Sequence, residues 1–307
     1  MTRVAAVDLG TNSTRLLVAD VEDGRVGEVE RRLAITRLGE SVDRRRRLLP
    51  TAIARVRNTL VEYRRTAERH GAERVLAIAT SAVRDAENGE AFLGEVEWSY
   101  GFATRLLDGV EEAQLTFRGV AAGRELADGT LLVDIGGGST ELVVAEGGGI
   151  GFHVSLDVGC VRLTDRFGED VDVLARHTRE ALPTLDVGQA IGVSGTVTAL
   201  AALDLGLVDY DSERVHGHRL SRDAVDAQLR RLAALALDER RRVPGLEPER
   251  APVIVAGAAI LREILDAYGL DEVEASERDI LDGAALAAAE LPERQEGAAP
   301  PGAYTCC

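Results

Sequence analysis

Two short turns rich in glycine, serine and threonine contain the first residues that could do chemistry. They read DLGTNS at residues 8–13 and DIGGGST at residues 134–140, and each follows an apolar stretch. Glycine lets backbone N–H groups approach an anion closely, and serine and threonine hydroxyls add further donors. An aspartate lies where each apolar stretch meets its turn, so its carboxylate could hold a hydrated divalent cation against phosphate oxygens. The residues predicted to bind phosphate are Gly10, Thr11, Asn12, Ser13, Gly136, Gly137, Gly138 and Ser139, and the two aspartates are Asp8 and Asp134.

Both turns belong to an internal repeat. Residues 7–19 read VDLGTNSTRLLVA and residues 133–145 read VDIGGGSTELVVA, identical at eight of 13 positions with a constant offset of 126 and no gap. Each copy predicts an apolar strand, a turn and a second strand with β-branched residues. A single turn of this kind would be an ordinary hairpin. Two equivalent copies instead favour a shared function and a chain built from two related halves.

Strands alternate with helices along the chain, which predicts an α/β architecture with covered sheets. Each half opens with a meander of three strands, and in the first half a long amphipathic helix starts at Pro50 and ends near Gly71. Later strands are predicted in QAIGV, PVIVA and VEAS, and a last helix at about residues 278–290. We place the domain boundary in GRELADG, residues 123–129. The domains are then an N-terminal one over 1–125 and a C-terminal one over 126–292, followed by a disordered tail over 293–307. The alternative is that the closing helix at 278–290 packs back on the first domain, which would make this linear boundary incomplete.

Two further motifs lie at predicted helix starts. GVSGT, residues 192–196, follows a strand and opens a helix, so Gly195 and Thr196 could bind phosphate at a helix N-terminus, although a structural turn is the alternative. DGVEEAQ puts the paired carboxylates Glu111 and Glu112 in the first turn of another helix. Acidic residues commonly stabilise the helix dipole there, so these residues alone do not decide between a structural and a chemical role.

Composition excludes several classes of protein. The 307 residues include 52 acidic and 36 basic side chains, net charge −16, and every basic residue is arginine because the chain has no lysine. This charge argues against nucleic-acid binding, and the missing lysine excludes a lysine-dependent phosphate loop and a lysine Schiff base. No apolar run approaches the roughly 18 residues that a membrane helix needs, and the start of the chain lacks the layout of a secretion signal. We therefore expect a cytoplasmic protein with neither nucleic acid nor membrane as partner.

The motifs together resemble a known family. AAVDLGTNSTRL, ATSAVRDAEN, DGVEEAQ, LLVDIGGGSTELV and GVSGT occur in this order and spacing over about residues 3–290. The chain thereby resembles the exopolyphosphatase and guanosine pentaphosphate phosphatase (Ppx/GppA) family in a short, two-domain form. The paired turns are also similar to those of the superfamily of actin, sugar kinases and heat-shock 70 ATPases. The resemblance implies two duplicated actin-like (ribonuclease H-like) domains with a phosphate-binding cleft between them.

The resemblance also assigns roles to individual residues. The second glutamate of the EEA motif is catalytic in the family, and this position is Glu112 here. A divalent cation, for which we expect Mg²⁺, is implied near Asp134 and Glu141, with Asp8 facing it. Arg84 in TSAVRDA matches a family arginine that is expected to contact substrate phosphate, with a surface ion pair as the alternative. Loss of its charge should then weaken substrate binding mainly.

The reaction implied is release of terminal phosphate from inorganic polyphosphate by Mg²⁺-dependent hydrolysis. It needs a water in line with the terminal phosphorus and a carboxylate to take its proton, and Glu112 would be that base. Longer family members carry further C-terminal domains, so we expect short chains as substrates here. Guanosine pentaphosphate is the alternative substrate, and an ATP-dependent small-molecule kinase or a non-catalytic nucleotide sensor is the alternative class. A homodimer is also expected, because dimers are common in the family.

One local charge pattern runs against the net charge. Residues 37–74 contain eleven arginines and five acidic residues, a net charge of +6. Such a patch could steer a polyphosphate chain despite the global repulsion. A solvated helix face is the alternative interpretation. The arginines considered for steering are Arg44 to Arg47, Arg64, Arg65 and Arg69.

Overall fold

The repeat in the sequence forms the same meander of three strands at the start of each half. The computed structural model describes residues 1–292, so the prediction for 293–307 lies outside the described residues. The elements of the first half are β1 (Thr2–Leu9), β2 (Thr14–Glu22), β3 (Arg25–Ala34), α1 (Val42–Arg45), α2 (Pro50–Arg69), β4 (Arg74–Ala79), α3 (Ser81–Arg84), α4 (Gly89–Tyr100), β5 (Ala103–Leu106) and α5 (Gly109–Val120). The helix predicted from Pro50 is therefore confirmed.

The second half repeats the scheme with additional helices. Its elements are β6 (Thr130–Ile135), β7 (Thr140–Glu146), β8 (Gly149–Leu156), α6 (Cys160–Phe167), α7 (Val171–Ala181), β9 (Gln189–Val193), α8 (Ser194–Asp204), α9 (Ser212–Val215), β10 (Arg219–Ser221), α10 (Arg222–Ala233), α11 (Leu237–Arg240), α12 (Ile254–Ala267) and β11 (Glu272–Ala275). A last helix, α13 (Ile280–Ala289), follows. None of the helices in residues 1–292 is both long and apolar enough to cross a membrane.

The two sheets have the same strand order and directions. The first is ordered β3-β2-β1-β4-β5, with antiparallel pairing in the meander and parallel pairing of β1 with β4 and β4 with β5. The second is ordered β8-β7-β6-β9-β11, followed by β10 as an antiparallel edge strand. The register shifts at equivalent places, between Val18 and Ala19 and between Val144 and Ala145, again 126 residues apart. The two sheets thus repeat one arrangement, so the predicted α/β fold of two duplicated domains is confirmed.

Helices cover both faces of the first sheet. Residues of β1 alternate between two apolar clusters, with Ala5 and Val7 in one cluster and Val4 and Ala6 in the other. Helices α2 and α4 contribute to the first cluster, and α5 and α13 to the second. A central parallel strand buried on both faces reads as a continuous apolar run, and RVAAVDL at the start of the chain has that composition.

The linear domain boundary predicted from the sequence is wrong for the last helix. The described chain divides into one unit of Met1–Arg124 together with residues 280–292, and a second unit of Glu125–Asp279. Helix α13 packs on α5 and β1 of the first unit rather than belonging to a domain over 126–292. Small residues allow this close packing, since a Cβ atom at Gly283 would lie 1.9 Å from the carbonyl oxygen of Leu115.

This contact predicts a destabilising substitution. Gly283→Ala should lower the free energy of unfolding of the first unit by about 1–3 kcal/mol, because α13 must move away from the α5 backbone. Urea unfolding followed by the fluorescence of Trp98, the single tryptophan and part of α4, measures this. Gly94→Ala in α4 is the control, since its Cβ would meet no described atom within 4 Å. Equal stability of the two variants would contradict the packing.

One predicted strand is the start of a helix instead. PVIVA, residues 252–256, has β-branched residues typical of a strand, but α12 begins at Ile254. The apolar run continues beyond the usual length of a strand, and residues at helical spacing are buried. These residues are Ile254, Ala258, Leu261 and Leu265.

Candidate active site

The two predicted phosphate-binding turns have the same backbone geometry, each within its own unit. Gly10 N–H donates to Ser13 O over 3.0 Å, and Gly136 N–H donates to Ser139 O over 2.9 Å. A Cβ atom would lie 2.9 Å from that oxygen at Gly10 and 3.1 Å from it at Gly136, which explains the glycine at this position. Both turns are therefore tight loops closed by one backbone hydrogen bond.

Three consecutive N–H groups in each turn are available to an anion. In the described part of the chain, they donate to no backbone carbonyl. Successive N–H groups in a turn form an anion-binding concavity, and both turns fit that description. The groups are those of Thr11, Asn12 and Ser13 in the first unit and of Gly137, Gly138 and Ser139 in the second.

Helix α6 orients the second turn. The N–H groups of Cys160 and Val161 donate to the carbonyls of Gly136 and Gly137 over 3.0 and 2.9 Å. Arg162 Nε donates to Gly138 O over 2.6 Å. Since the carbonyls of the turn are bound by the start of α6, the N–H groups of the same peptides are directed away from that helix. Burial raises the pKa of Cys160 to about 11, so this thiol is protonated near neutral pH and is no nucleophile.

The aspartates before the two turns face different partners. Asp8 lies opposite Arg15 in the antiparallel pair, and Arg15 Nη2 and Nε donate to Asp8 Oδ2 over 2.7 and 2.9 Å. The equivalent of Arg15 in the second unit is Glu141, which lies opposite Asp134. Asp134 is 7% exposed and Glu141 is 4% exposed. Two buried carboxylates directly opposite each other repel, so this position favours a bound cation.

Serine hydroxyl groups orient the carboxylates of both Asp134 and Glu141. Ser194 Oγ donates to Asp134 Oδ1 over 2.5 Å, and Ser155 Oγ donates to Glu141 Oε1 over 2.8 Å. Within residues 1–292, no group of three or more histidine, cysteine, aspartate or glutamate side chains could hold a metal. Mg²⁺ needs no such group, because it is usually held by one or two carboxylates, several waters and substrate phosphates. The Asp134–Glu141 pair offers the carboxylate oxygens that Mg²⁺ prefers, and the roles of Asp134, Glu141 and Asp8 as ligands all stay predictions.

The GVSGT motif lies at a strand-to-helix turn, as predicted. Strand β9 ends at Val193 and α8 begins at Ser194, so Gly195 and Thr196 contribute N–H groups at the N-terminus of α8. Gly195 packs against an arginine, since a Cβ atom there would lie 1.7 Å from Arg250 Nη1. Thr196 is buried and packs on Gly257 of α12. Their role as phosphate ligands stays a prediction.

Sequence reasoning missed two residues next to this loop. Ser194 adopts a left-handed conformation with φ 66° and binds Asp134, and Arg250 lies over Gly195. Ser194 has a local signal, because a serine between a strand and a helix-opening glycine commonly lies in such a turn. Arg250 has none, since it is more than 50 residues away from Gly195 in the chain.

The two adjacent glutamates of α5 have separate roles. Glu111 forms a capping box with Asp108, in which Glu111 N–H donates to Asp108 Oδ1 over 2.9 Å and Asp108 N–H donates to Glu111 Oε2 over 3.0 Å. Glu112 is only 4% exposed and accepts from Arg84 Nη1 over 2.5 Å. The structural interpretation of acids in a first helical turn therefore applies to Glu111, whereas Glu112 forms an ion pair with Arg84 and its catalytic role stays a prediction.

Arg84 connects Glu112 to the first turn. Its Nη1 also donates to Leu107 O over 2.7 Å, just before α5. Arg84 ends α3, and Ser81 at the start of α3 shares a buried hydrogen bond of 3.0 Å with the hydroxyl of Thr11. The structure thus brings together the first turn, Arg84 and Glu112 within one unit, while phosphate binding by Arg84 stays a prediction.

The ion pair predicts that Arg84 affects turnover as well as binding. Arg84→Gln should lower kcat roughly tenfold to 100-fold, because Glu112 loses the contact that orients it. A rise in KM alone would indicate a phosphate ligand that does not position the base. Steady-state phosphate release measures both constants, with the exposed Arg105→Gln in β5 as a control of equal charge change.

Comparison with known proteins shows which family the chain resembles over most of its length. A family model described as the Ppx/GppA phosphatase family matches residues 17–289. The chain is 38% identical to exopolyphosphatase 2 of Mycobacterium tuberculosis, over 94% of this chain and 99% of that protein. A crystal structure of an exopolyphosphatase-like protein matches with a TM-score of 0.85 at 34% identity, over 93% of this chain and 98% of that one.

A longer relative also matches. The chain is 31% identical to a guanosine-5'-triphosphate,3'-diphosphate pyrophosphatase of Vibrio vulnificus, over 87% of this chain and 55% of that protein. It therefore spans about half the length of this relative. The matched range and the near-complete coverage of the first relative assign the chain without ambiguity. It belongs to the Ppx/GppA phosphatase family.

Proposed function

We propose that the protein is an exopolyphosphatase that releases terminal phosphate from inorganic polyphosphate by hydrolysis. The observation that carries this proposal is the different use of the paired glutamates in α5. Glu111 caps the helix, while the buried Glu112 is oriented by Arg84, whose helix is bound to the turn at Thr11. A buried, oriented carboxylate that is linked through Arg84 and α3 to a turn with available N–H groups suits hydrolysis of a phosphoanhydride.

The proposed step assigns a role to each group. A water attacks the terminal phosphorus in line with the bridging oxygen, Glu112 takes its proton, and the phosphorus–oxygen bond of the anhydride breaks. Orthophosphate and a chain shorter by one unit result. In each unit the N–H groups of the turn stabilise charge on phosphate oxygens bound there, and they take the place of a lysine, which this chain lacks.

A divalent cation, for which we propose Mg²⁺, would be held by Asp134 and Glu141. Once bound, it would neutralise charge on the phosphate oxygens. The opposed carboxylates and their serine donors support this assignment. A homodimer, a cytoplasmic location and a preference for short chains remain our predictions.

The test is phosphate release by purified protein with and without Mg²⁺. The substrates are short polyphosphate, long polyphosphate, guanosine pentaphosphate, and ATP with a mixture of sugars. We expect Mg²⁺-dependent release from polyphosphate. Faster release from guanosine pentaphosphate would move the protein to the other activity of its family, and ATP consumption that needs a sugar would make it a kinase. Binding without turnover would make it a sensor.

A further inference from the structure

Four consecutive arginines differ from the other arginines of the predicted basic segment. Arg44, Arg45, Arg46 and Arg47 are all exposed, and within residues 1–292 none of their side chains forms an ion pair or a hydrogen bond. Arg69, by contrast, donates a hydrogen bond to the side chain of Thr66. The other paired arginines of the segment are Arg55 with Glu40, Arg57 with Glu95, Arg64 with Glu68 and Arg65 with Glu62.

The interpretation of the basic segment as a solvated helix face and its interpretation as a patch that attracts polyphosphate therefore concern different residues. Arg64, Arg65 and Arg69 belong to the solvated face of α2, where paired charges contribute little. The segment Arg44–Arg47, which we call the arginine tetrad, keeps four positive charges whose side chains form no ion pair among the described residues. Four neighbouring guanidinium groups repel one another, so an anion bound there would relieve the repulsion.

The chain before the arginine tetrad is anchored on the first phosphate-binding turn. Arg37 N–H donates to Asn12 O over 2.9 Å, and Gly39 N–H donates to Thr11 O over 2.8 Å. Gly39 packs directly on the turn, because a Cβ atom there would lie 2.3 Å from Thr11 Cγ2. Arg44 follows Gly39 closely in the chain, which limits their Cα atoms to about 18 Å apart.

The chain after the arginine tetrad is anchored near Arg84. Arg46 O accepts from Glu87 N–H over 2.8 Å, and Glu87 follows Arg84 by three residues. The side chain of Asn88 accepts from the N–H of Leu48 over 2.9 Å and donates to its carbonyl over 3.2 Å. The arginine tetrad thus lies between two elements that contain proposed phosphate ligands.

The backbone on both sides of α1 is strained. Ser41 has φ 62° and Arg46 has φ 52°, and neither is a glycine. Left-handed conformations at such residues persist only where the surrounding structure holds them, and they are common at ligand-binding segments. The anchoring hydrogen bonds supply that support, so the four side chains are presented from a held backbone rather than from a loose loop.

We propose that the arginine tetrad is a second phosphate subsite, which binds the distal part of a polyphosphate chain whose end is held at Gly10–Ser13. This inference rests on the proposed function, since it requires polyphosphate as the substrate. It adds a subsite outside the catalytic groups. Affinity should therefore rise with chain length until the chain reaches the tetrad, and should then level off.

The test compares two quadruple variants in a Glu112→Gln background, which prevents consumption of the ligand. One replaces Arg44 to Arg47 by glutamine. The control, R64Q/R65Q/R230Q/R241Q, removes an equal number of positive charges, but from surface side chains that are already paired with acids. Fluorescence anisotropy of labelled polyphosphate measures affinity for long chains, and inorganic triphosphate as competitor measures affinity for a short one.

We expect the tetrad variant to bind long polyphosphate roughly tenfold or more weakly than the parent, with a smaller loss for triphosphate. The slope of log affinity against log salt concentration should become shallower by roughly 3, at about 0.7 for each phosphate that the arginines neutralise, by analogy with single-stranded nucleic acid. The control variant should lose much less affinity. Circular dichroism of both variants confirms that they are folded.

Several results would overturn the subsite. An equal loss in both quadruple variants would indicate long-range steering, and an equal loss for long and short chains would exclude a distal site. Single-stranded DNA that competes as strongly as polyphosphate of equal charge would make the tetrad a nucleic-acid site. The same experiments separate a failure of the subsite from a failure of the proposed function. If the wild-type chain hydrolyses polyphosphate and the tetrad variant binds it as tightly as the parent, only the subsite is rejected. If the wild-type chain does not hydrolyse polyphosphate, the proposed function itself is rejected.

Discussion

Replacement of Glu112 by glutamine should lower kcat for phosphate release by roughly 10²–10⁴-fold, because an amide cannot take the proton of the attacking water. Glutamine keeps the size of the side chain and can still accept from Arg84, so the 2.5 Å contact and the helix should persist. The loss should therefore appear in kcat while KM changes little. Steady-state phosphate release from polyphosphate measures both constants.

The neighbouring Glu111→Gln is a matched control. It makes the same chemical change one residue earlier, in a side chain that caps α5 through Asp108 N–H. Glutamine serves in a capping box as glutamate does, so activity and stability should remain close to those of the parent. Similar rates for Glu112→Gln and Glu111→Gln would remove Glu112 as the base.

Local patterns were sufficient to predict the conformation of the two turns, whereas their binding of phosphate stays a prediction. Glycine and hydroxyl residues between two apolar strands define each turn, and the offset of 126 residues predicts that the second copy folds like the first. The structure agrees down to the closing hydrogen bond and the register shift in each sheet. These features depend on residues adjacent in the chain, which is why sequence reasoning reaches them.

The paired glutamates were predictable only in part. The spacing of Asp108 and Glu111 is itself a capping signal, since the acceptor and the reciprocal glutamate lie three residues apart. That signal assigns Glu111 to the cap. The capping signal does not predict the orientation of Glu112, because Glu112 binds Arg84, which lies 28 residues earlier in the chain. The catalytic role of Glu112 rests on the family resemblance and stays a prediction.

The sequence alone does not decide contacts between distant parts of the chain, and it left the packing of the last helix on the first domain only as an alternative. The return of α13 to the first unit depends on Gly283 meeting the backbone of α5, about 170 residues earlier. The position of Arg250 over Gly195 is another example. The basic segment shows the same limit, because only the structure separates arginines paired with acids from those of the tetrad. Composition reports charge, whereas pairing depends on the fold.

Substitution of Gly159 is expected to have the second large effect on activity, because this residue contacts the predicted phosphate-binding turn of the second unit. It directly precedes α6, and a Cβ atom there would lie 2.4 Å from both Gly137 O and Gly138 C. These are backbone atoms of the turn, so no side chain can rotate away to make room. An alanine at this position would have to push the turn and the start of α6 apart, which disturbs the hydrogen bonds from Cys160 and Val161.

Gly159→Ala should lower kcat/KM by about 100-fold, since a displacement of about 1 Å in groups that position a substrate can have that effect. Gly188→Ala is the control in the same unit, because its Cβ would meet no described atom within 4 Å. Urea unfolding establishes that both variants are folded at the assay temperature. If folded Gly159→Ala kept the kcat/KM of the control, the available N–H groups of Gly137, Gly138 and Ser139 would not be the ones that hold phosphate. A loss confined to Gly159→Ala would link that turn directly to turnover, because the substitution changes no charge and removes no donor.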